Sequence, residues 1–227
     1  MFILGLTGSI GMGKSTAAAM FRRLGVPLHD ADAAVHRLMD HNGAAVAAIA
    51  ALFPKAVQSG RVNRKELGDE VLGKPEKLRQ LEQILHPLVR REMQAFLARQ
   101  ALLRRKLVVL DIPLLYETGG DGFCDAVLVV SCPGFLQQQR VLKRPGMTRE
   151  KFNSIRNKQI SDLEKRARAD FVVPTGLGKR LTLRSIRNLV ALSYNGAQTG
   201  SKIPEGLPEQ KQRKFLPYLS KSIRLQR

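Results

Sequence analysis

The chain has no tryptophan, and aromatic residues make up only 5% of its 227 positions. Proteins that read single-stranded nucleic acid depend on aromatic platforms for base stacking. That scarcity, with no RNP-like run, argues against nucleic acid as a substrate. Cysteine is also scarce. Cys124 and Cys132 flank one apolar run, DAVLVVS. They are too few for a disulfide framework and match no metal-ligand spacing. Buried, reduced thiols in a cytoplasmic protein are the expectation. No apolar run approaches the roughly 20 residues that span a bilayer, so no membrane partner is expected. The opening stretch MFILGLTG lacks a basic n-region and runs straight into a glycine loop, which is not the layout of a signal peptide. Acidic residues are few: 19 against 38 lysines and arginines, a formal net charge of +19. Such an excess suits a nucleic acid or a membrane surface, and equally an enzyme whose substrates carry several phosphates.

What is present is an apolar fraction of 44%, enough for a real core. FILGL at 2–6 reads as a buried strand, followed by a glycine loop and a helix, STAAAMFRRL, at 15–24 that Gly25 ends. Val26–Leu28 reads as a second strand, taken to lie beside the first. Ala33 to about Leu52 reads as one alanine-rich helix. Three helices are expected between Asn63 and about Arg105, starting at the cap Asn63, at Pro75 and just after Pro87. LVVLDI at 107–112 and AVLVVS at 126–131 are continuous apolar runs, as expected for strands covered on both faces. A helix over 135–144 is broken by Pro145-Gly146. A long charged helix is expected over 149–168, then a strand at 171–173 and a helix over 179–192.

Alternating strands and helices predict an α/β fold around a parallel sheet. The block 33–105 holds no convincing strand and reads as a helical insertion, and 140–168 reads as a small lid. The core is then 1–32 with 106–139 and 169–193. The segment 194–227, rich in Gly, Pro, Lys and Arg, reads as a mobile basic tail.

GSIGMGKS, Gly8 to Ser15, matches G-x-x-x-x-G-K-[ST] without a mismatch, after a strand and before a helix. Backbone N–H groups of such a loop wrap phosphates, and the helix N-terminus adds partial positive charge. Lys14 is placed to reach the β- and γ-phosphates of ATP, and the Ser15 hydroxyl to sit on Mg²⁺. The guanine-specifying Asn-Lys-x-Asp of GTPases is absent, which leaves a small-molecule kinase as the favoured class, kinases of a nucleoside monophosphate or a small hydroxy acid being the alternatives to whichever acceptor the remaining motifs indicate. The stretch RVLKRPGMTREKFNSIRNKQ, 140–159, has the arginine content of a kinase lid. Asp111 ends an apolar strand, the place of an acid near Mg²⁺; ion-pairing with Lys14 is an equal alternative. Glu117 reads as a surface or hinge residue.

Four blocks, LTGSIGMGKST at 6–16, DADAAVH at 30–36, LHPLVRREM at 85–93 and LDIPLLYETG at 110–119, give the chain a resemblance to the dephospho-CoA kinase family. Ser9 and Met12 stand where that family often has glycine and serine. The resemblance implies a nucleoside-monophosphate-kinase-like P-loop fold with a CoA-binding insertion and a lid. It implies ATP and dephospho-CoA as substrates. It implies that Gly8, Ser9, Ile10, Gly11, Met12, Gly13, Lys14, Ser15, Thr16 and Arg144 hold the nucleotide, and that Lys14, Arg140 and Asp32 act in catalysis. Asp32, His86, Pro87, Pro113, Leu114 and Leu115 then line the acceptor site, with Ser15 and Asp111 toward the metal. Of the two acids in DADAAVH, Asp30 is expected to cap the following helix and Asp32 to serve chemistry. A chain ending at Ser193 is expected to keep its turnover, because the tail cannot bury enough apolar surface to order itself; loss of most activity in a folded truncation would overturn that.

Overall fold

The structure is a computed structural model and describes residues 1–195, so the tail lies outside the described residues, apart from the last two backbone positions of the final helix. The chain divides into two compact units, residues 1–28 with 103 onward, and residues 29–102.

The first unit is built on strands β1 (Phe2–Thr7), β5 (Leu107–Asp111), β6 (Ala126–Ser131) and β7 (Phe171–Pro174). The pairings β1·β5, β1·β6 and β6·β7 are all parallel. Every residue of β5 and of β6 is buried, which is what their unbroken apolar runs anticipate. The sheet order is β2-β5-β1-β6-β7, where β2 is Leu28–Asp30. The second strand is therefore not beside β1, as the sequence reading had it: β5 lies between them, and the Pro27 carbonyl accepts from the Val109 N–H. Helix α1 (Lys14–Arg23) and α9 (Lys179–Asn195) pack together, and Phe21, Leu4, Leu128 and Ile186 form the centre of the core. Cys124 and Cys132 are free thiols, as expected; burial pushes Cys124 up to about 12 and also raises Cys132.

The second unit contains α2 (Ala31–Met39), α3 (Val46–Leu52), a hairpin of β3 (Val57–Gln58) and β4 (Arg61–Val62), α4 (Arg64–Val71) and α5 (Pro75–Leu102). Three expectations fail here for identifiable reasons. The single helix over 33–52 is broken after Met39, because Asn42 takes a left-handed φ of 55° and a Cβ on Gly43 would lie 2.2 Å from the Leu38 carbonyl. The hairpin was missed because its strands are two residues long, too short to show alternation; Ser59 and Gly60 both have positive φ at its turn. Pro87 does not end a helix. It sits inside the 28-residue α5. Proline removes one backbone hydrogen bond, but Leu81, Ile84, Leu85, Leu88 and Val89 pack the helix against Ile49 and Phe53 on both sides of it. Tertiary burial outweighs the local break.

In the first unit the long helix expected over 149–168 is two: α7 (Arg149–Asn157), following α6 (Gly134–Leu142), and α8 (Asp162–Arg168), capped by the Ser161 hydroxyl on the Glu164 N–H. Helix α8 is fastened by an ion pair that the sequence did not foreshadow. Lys165 has no exposed surface, and its Nζ lies 2.8 Å from Glu117 Oε1, close but without the angle of a directed hydrogen bond. Glu117 is thus a half-buried partner of Lys165 and an acceptor for the Ile160 N–H, not an unpaired surface residue. Burial pushes its carboxyl up, but the Lys165 ammonium and the N–H groups of Glu117 and Ile160 outweigh burial, and its pKa falls below the ordinary 4.5. A depressed carboxylate stabilises the fold fully above its unfolded value and loses that contribution as pH falls through the folded value. Glu117→Gln should therefore lower unfolding free energy at pH 7 by about 3 kcal/mol, the usual result of stranding a buried charge. Urea titrations of wild type and variant should converge as pH drops below 4.5; parallel curves would contradict the ion-pair account.

Candidate active site

The glycine loop joins β1 to α1. Gly13, just before the helix, has φ 92°, and a Cβ there would meet three Thr175 atoms at 3.1–3.3 Å, so a larger residue is strained twice over. The first turn of α1 carries no acidic residue, which leaves its positive end to an incoming anion.

Around the loop, side chains from distant parts of the first unit hold individual backbone groups. Thr175 Oγ1 donates to the Met12 carbonyl at 2.7 Å, and Gln137 Nε2 donates to the Ile10 carbonyl at 2.8 Å. The Ile10 N–H donates to Gln159 Oε1 at 3.0 Å. Met12 itself is buried, and its sulfur accepts from the Cys132 N–H at 3.2 Å. Met12 thus anchors the loop to the residue after β6. Ser9 is also buried, and its hydroxyl has no hydrogen-bond partner.

At the start of α1, Lys14 Nζ donates to Asp111 Oδ1 at 2.7 Å. The carboxylate side chain is 3% exposed and the lysine side chain 16%. Of the two roles left open for Asp111, the ion pair with Lys14 is the one present. Ser15 is exposed in the same turn and Thr16 is half-buried. Arg140 reaches the loop at one remove: its guanidinium donates to the Thr175 carbonyl at 2.8 Å and to Thr175 Oγ1 at 3.3 Å. Arg144 is exposed just past α6. Pro113 gives its carbonyl to the Thr7 hydroxyl at 2.9 Å, and Leu114 is exposed. Leu115, expected to line the acceptor site, has no exposed surface; a Cβ on Gly5 or Gly120 would lie 3.0 or 3.1 Å from its methyls, so its side chain serves the core.

The other predicted residues belong to the second unit. Asp30 Oδ1 accepts from the Ala33 N–H at 3.0 Å and caps α2, as its position in the sequence suggested. Asp32 is exposed in the first turn of that helix. His86 and Pro87 are exposed in the middle of α5. The structure therefore brings together the loop, Lys14, Asp111 and Arg140 within the first unit, while Asp32 belongs to α2 and His86 and Pro87 to α5 of the second. Sequence reasoning missed Thr175, Gln137 and Gln159. Gln159 stood inside the quoted lid stretch, but nothing in a single glutamine announces a hydrogen bond to a residue 149 positions away.

A parallel sheet whose first strand runs into a phosphate loop, with the loop lysine paired to the acid that ends a neighbouring strand, defines a P-loop protein, the class that holds nucleoside triphosphates. The dephospho-CoA kinase family model matches residues 2–177. A dephospho-CoA kinase of Rhodospirillum rubrum is 55% identical over 197 residues, 86% of this chain and 93% of that protein. One from Paramagnetospirillum magneticum is 60% identical over 166 residues, covering 73% of this chain and 78% of its own length. Among solved structures, the Thermus thermophilus protein TT1252 aligns with a TM-score of 0.74 at 38% identity, over 84% of this chain and 96% of that one. The chain belongs to the dephospho-CoA kinase family.

Lys14→Ala should abolish transfer, because it removes the cation placed for the bridging oxygens; one such contact is worth about a hundred- to a thousandfold in rate. It also strands Asp111 without its amine, so the melting temperature should fall as well. Turnover within threefold of wild type would mean that this loop is not the ATP site.

Proposed function

We propose that the chain transfers the γ-phosphoryl group of ATP to the ribose 3′-hydroxyl of dephospho-CoA, giving CoA and ADP. The observation that carries this reading is a complete P-loop, with Lys14 held by Asp111, in a chain of the dephospho-CoA kinase family. The acceptor oxygen attacks the γ-phosphorus, the bond to the β–γ bridging oxygen breaks, and the hydroxyl proton passes to Asp32. The loop N–H groups and Lys14 hold the triphosphate, and the start of α1 meets its charge. Arg140, with Thr175 as its tether, is four residues before the exposed Arg144, which lies just past α6; both supply positive charge to the transferring group.

Mg²⁺ is held by one or two protein oxygens with substrate phosphates and water completing the shell. The Ser15 hydroxyl and the Asp111 carboxylate fit that donor set, and among the described residues no cluster of three or more His, Cys, Asp or Glu offers an all-protein cage. When bound there, the ion neutralises charge on the β- and γ-phosphates. Of the lid expected over 140–168, Arg140 is tethered to Thr175 and α8 is fastened through Lys165, which leaves the part between them to close over the nucleotide. No described helix is long and apolar enough to cross a membrane. With both substrates water-soluble and both thiols free, we place the enzyme in the cytoplasm.

The test is ADP release with ATP and Mg²⁺ against dephospho-CoA, adenosine and a panel of nucleoside monophosphates. Turnover should be highest with dephospho-CoA; no release above background with it would sink the proposal. In the same assay Asp32→Asn should cut turnover about a hundredfold or more, the range for a positioned acid–base group. ATP affinity should stay near normal. Asp30→Asn should cost little, since asparagine caps about as well as aspartate. The reverse pattern would exchange the two assignments.

A further inference from the structure

Thr175 stands directly after β7, at the end of the sheet where the glycine loop lies, and its backbone is fixed there. Its N–H donates to the Ser131 carbonyl at 2.8 Å, and the carbonyl of Pro174 before it accepts from the Thr182 hydroxyl at 3.2 Å. Only 6% of the residue is exposed. From that fixed point it meets two parts of the active site. On one side Oγ1 donates to the Met12 carbonyl at 2.7 Å, and its side chain lies so close to Gly13, the residue before Lys14, that a Cβ there would be crowded. On the other side it meets Arg140 with two oxygens. Its carbonyl accepts from one guanidinium nitrogen at 2.8 Å and Oγ1 from the other at 3.3 Å. A hydroxyl has one proton to give. The Met12 carbonyl is the nearer of its two acceptors, the Ser131 carbonyl being 3.3 Å away, so toward Arg140 the oxygen only accepts. Two oxygens of one residue then form a fork for the parallel N–H groups of a guanidinium, which the point charge of a lysine cannot span.

The fork leaves Arg140 with donors to spare. A guanidinium carries five N–H groups; Thr175 takes two, and the others stay available to an anion at the loop. The chain of contact from one cation to the other is short: Lys14, its neighbour Gly13, the Thr175 side chain, the Arg140 guanidinium. We infer that Thr175 is a positioning residue of phosphoryl transfer, its hydroxyl setting Arg140 against the turn that carries Lys14 so that both cations meet one phosphoryl group. This rests on the reading of the chain as a kinase whose Lys14 and Arg140 face the transferring group. Thr175 itself touches no substrate and acts through the loop and the arginine. Loose transition states of this reaction depend on placed charge, so a displaced guanidinium is felt in the rate more than in binding of the acceptor.

The experiment compares the full chain with Thr175→Val, Thr175→Ser, Arg140→Lys and the double variant of Thr175→Val with Arg140→Lys. Valine keeps the shape and removes the hydroxyl. Its kcat with dephospho-CoA should fall about 10- to 100-fold, the scale of a catalytic group misplaced by about an ångström, with the KM for dephospho-CoA changed by less than about threefold. Thr175→Ser keeps the oxygen and should restore kcat to within about threefold of wild type. The cycle separates positioning from mere support. Arg140→Lys should cost at least about fivefold less in the Thr175→Val background than in wild type, because residues that act together do not add. Additive losses, or a serine variant as poor as the valine one, would overturn the proposal and leave the kinase reading intact. Should Thr175→Val fail to fold, Thr175→Cys takes its place in the cycle, since a thiol is a poor acceptor for a guanidinium. A second readout needs no acceptor: the ratio of the ADP to the ATP dissociation constant, by calorimetry, reports contacts to the γ-phosphate. It should fall in Thr175→Val and in Arg140→Lys, and no further in the double variant. If wild type fails to phosphorylate dephospho-CoA, the acceptor reading goes and this ratio decides; an unchanged ratio in Thr175→Val rejects the positioning role.

Discussion

The pair between Lys14 and Asp111 is the contact on which the active centre turns. A carboxylate as enclosed as Asp111 is tolerable only beside a cation. A lysine at the mouth of a glycine loop needs a partner that keeps it extended until a phosphate arrives. The two residues come from the start of α1 and the end of β5, so the pair forms only if β5 lies next to β1 in the right register. It does: Leu6 pairs with Asp111. Sheet order and phosphate chemistry are thus one constraint.

The loop gains its shape from outside itself. Thr175, Gln137 and Gln159 satisfy backbone groups that a glycine-rich segment leaves open, and the Met12 sulfur takes the Cys132 N–H beyond β6. Arg140 joins the same arrangement by binding Thr175 from the other side. A side chain that supports the loop therefore also fixes Arg140, and the segment after α7 is tied to the loop through Gln159. Preorganisation of this kind matters for phosphoryl transfer, where positioning and electrostatics supply nearly all of the catalysis.

The 29–102 unit follows a different logic. Its core is a modest cluster around Ile49 and Phe53, and its exposed face carries the acid of DADAAVH and an ion pair between Arg37 and Glu92.

The α/β class, the phosphate loop and the strands at 107–112 and 126–131 were legible from the residues alone, because each depends on a local pattern: an unbroken apolar run, or glycines spaced before a lysine. The capping role of Asp30 was legible for the same reason, since a cap bonds within three residues of itself. Tertiary structure decided the rest. Pro87 stays inside a helix because burial on both sides outweighs one lost hydrogen bond. Asn42, held by its N–H on the Gly60 carbonyl of the hairpin, helps end α2. Leu115 turns inward, and Glu117 becomes the partner of Lys165, because the fold brings together residues 48 positions apart in sequence. The partners of the loop are likewise non-local. A sequence displays what neighbouring residues do to each other, and only the folded chain shows which distant groups complete them.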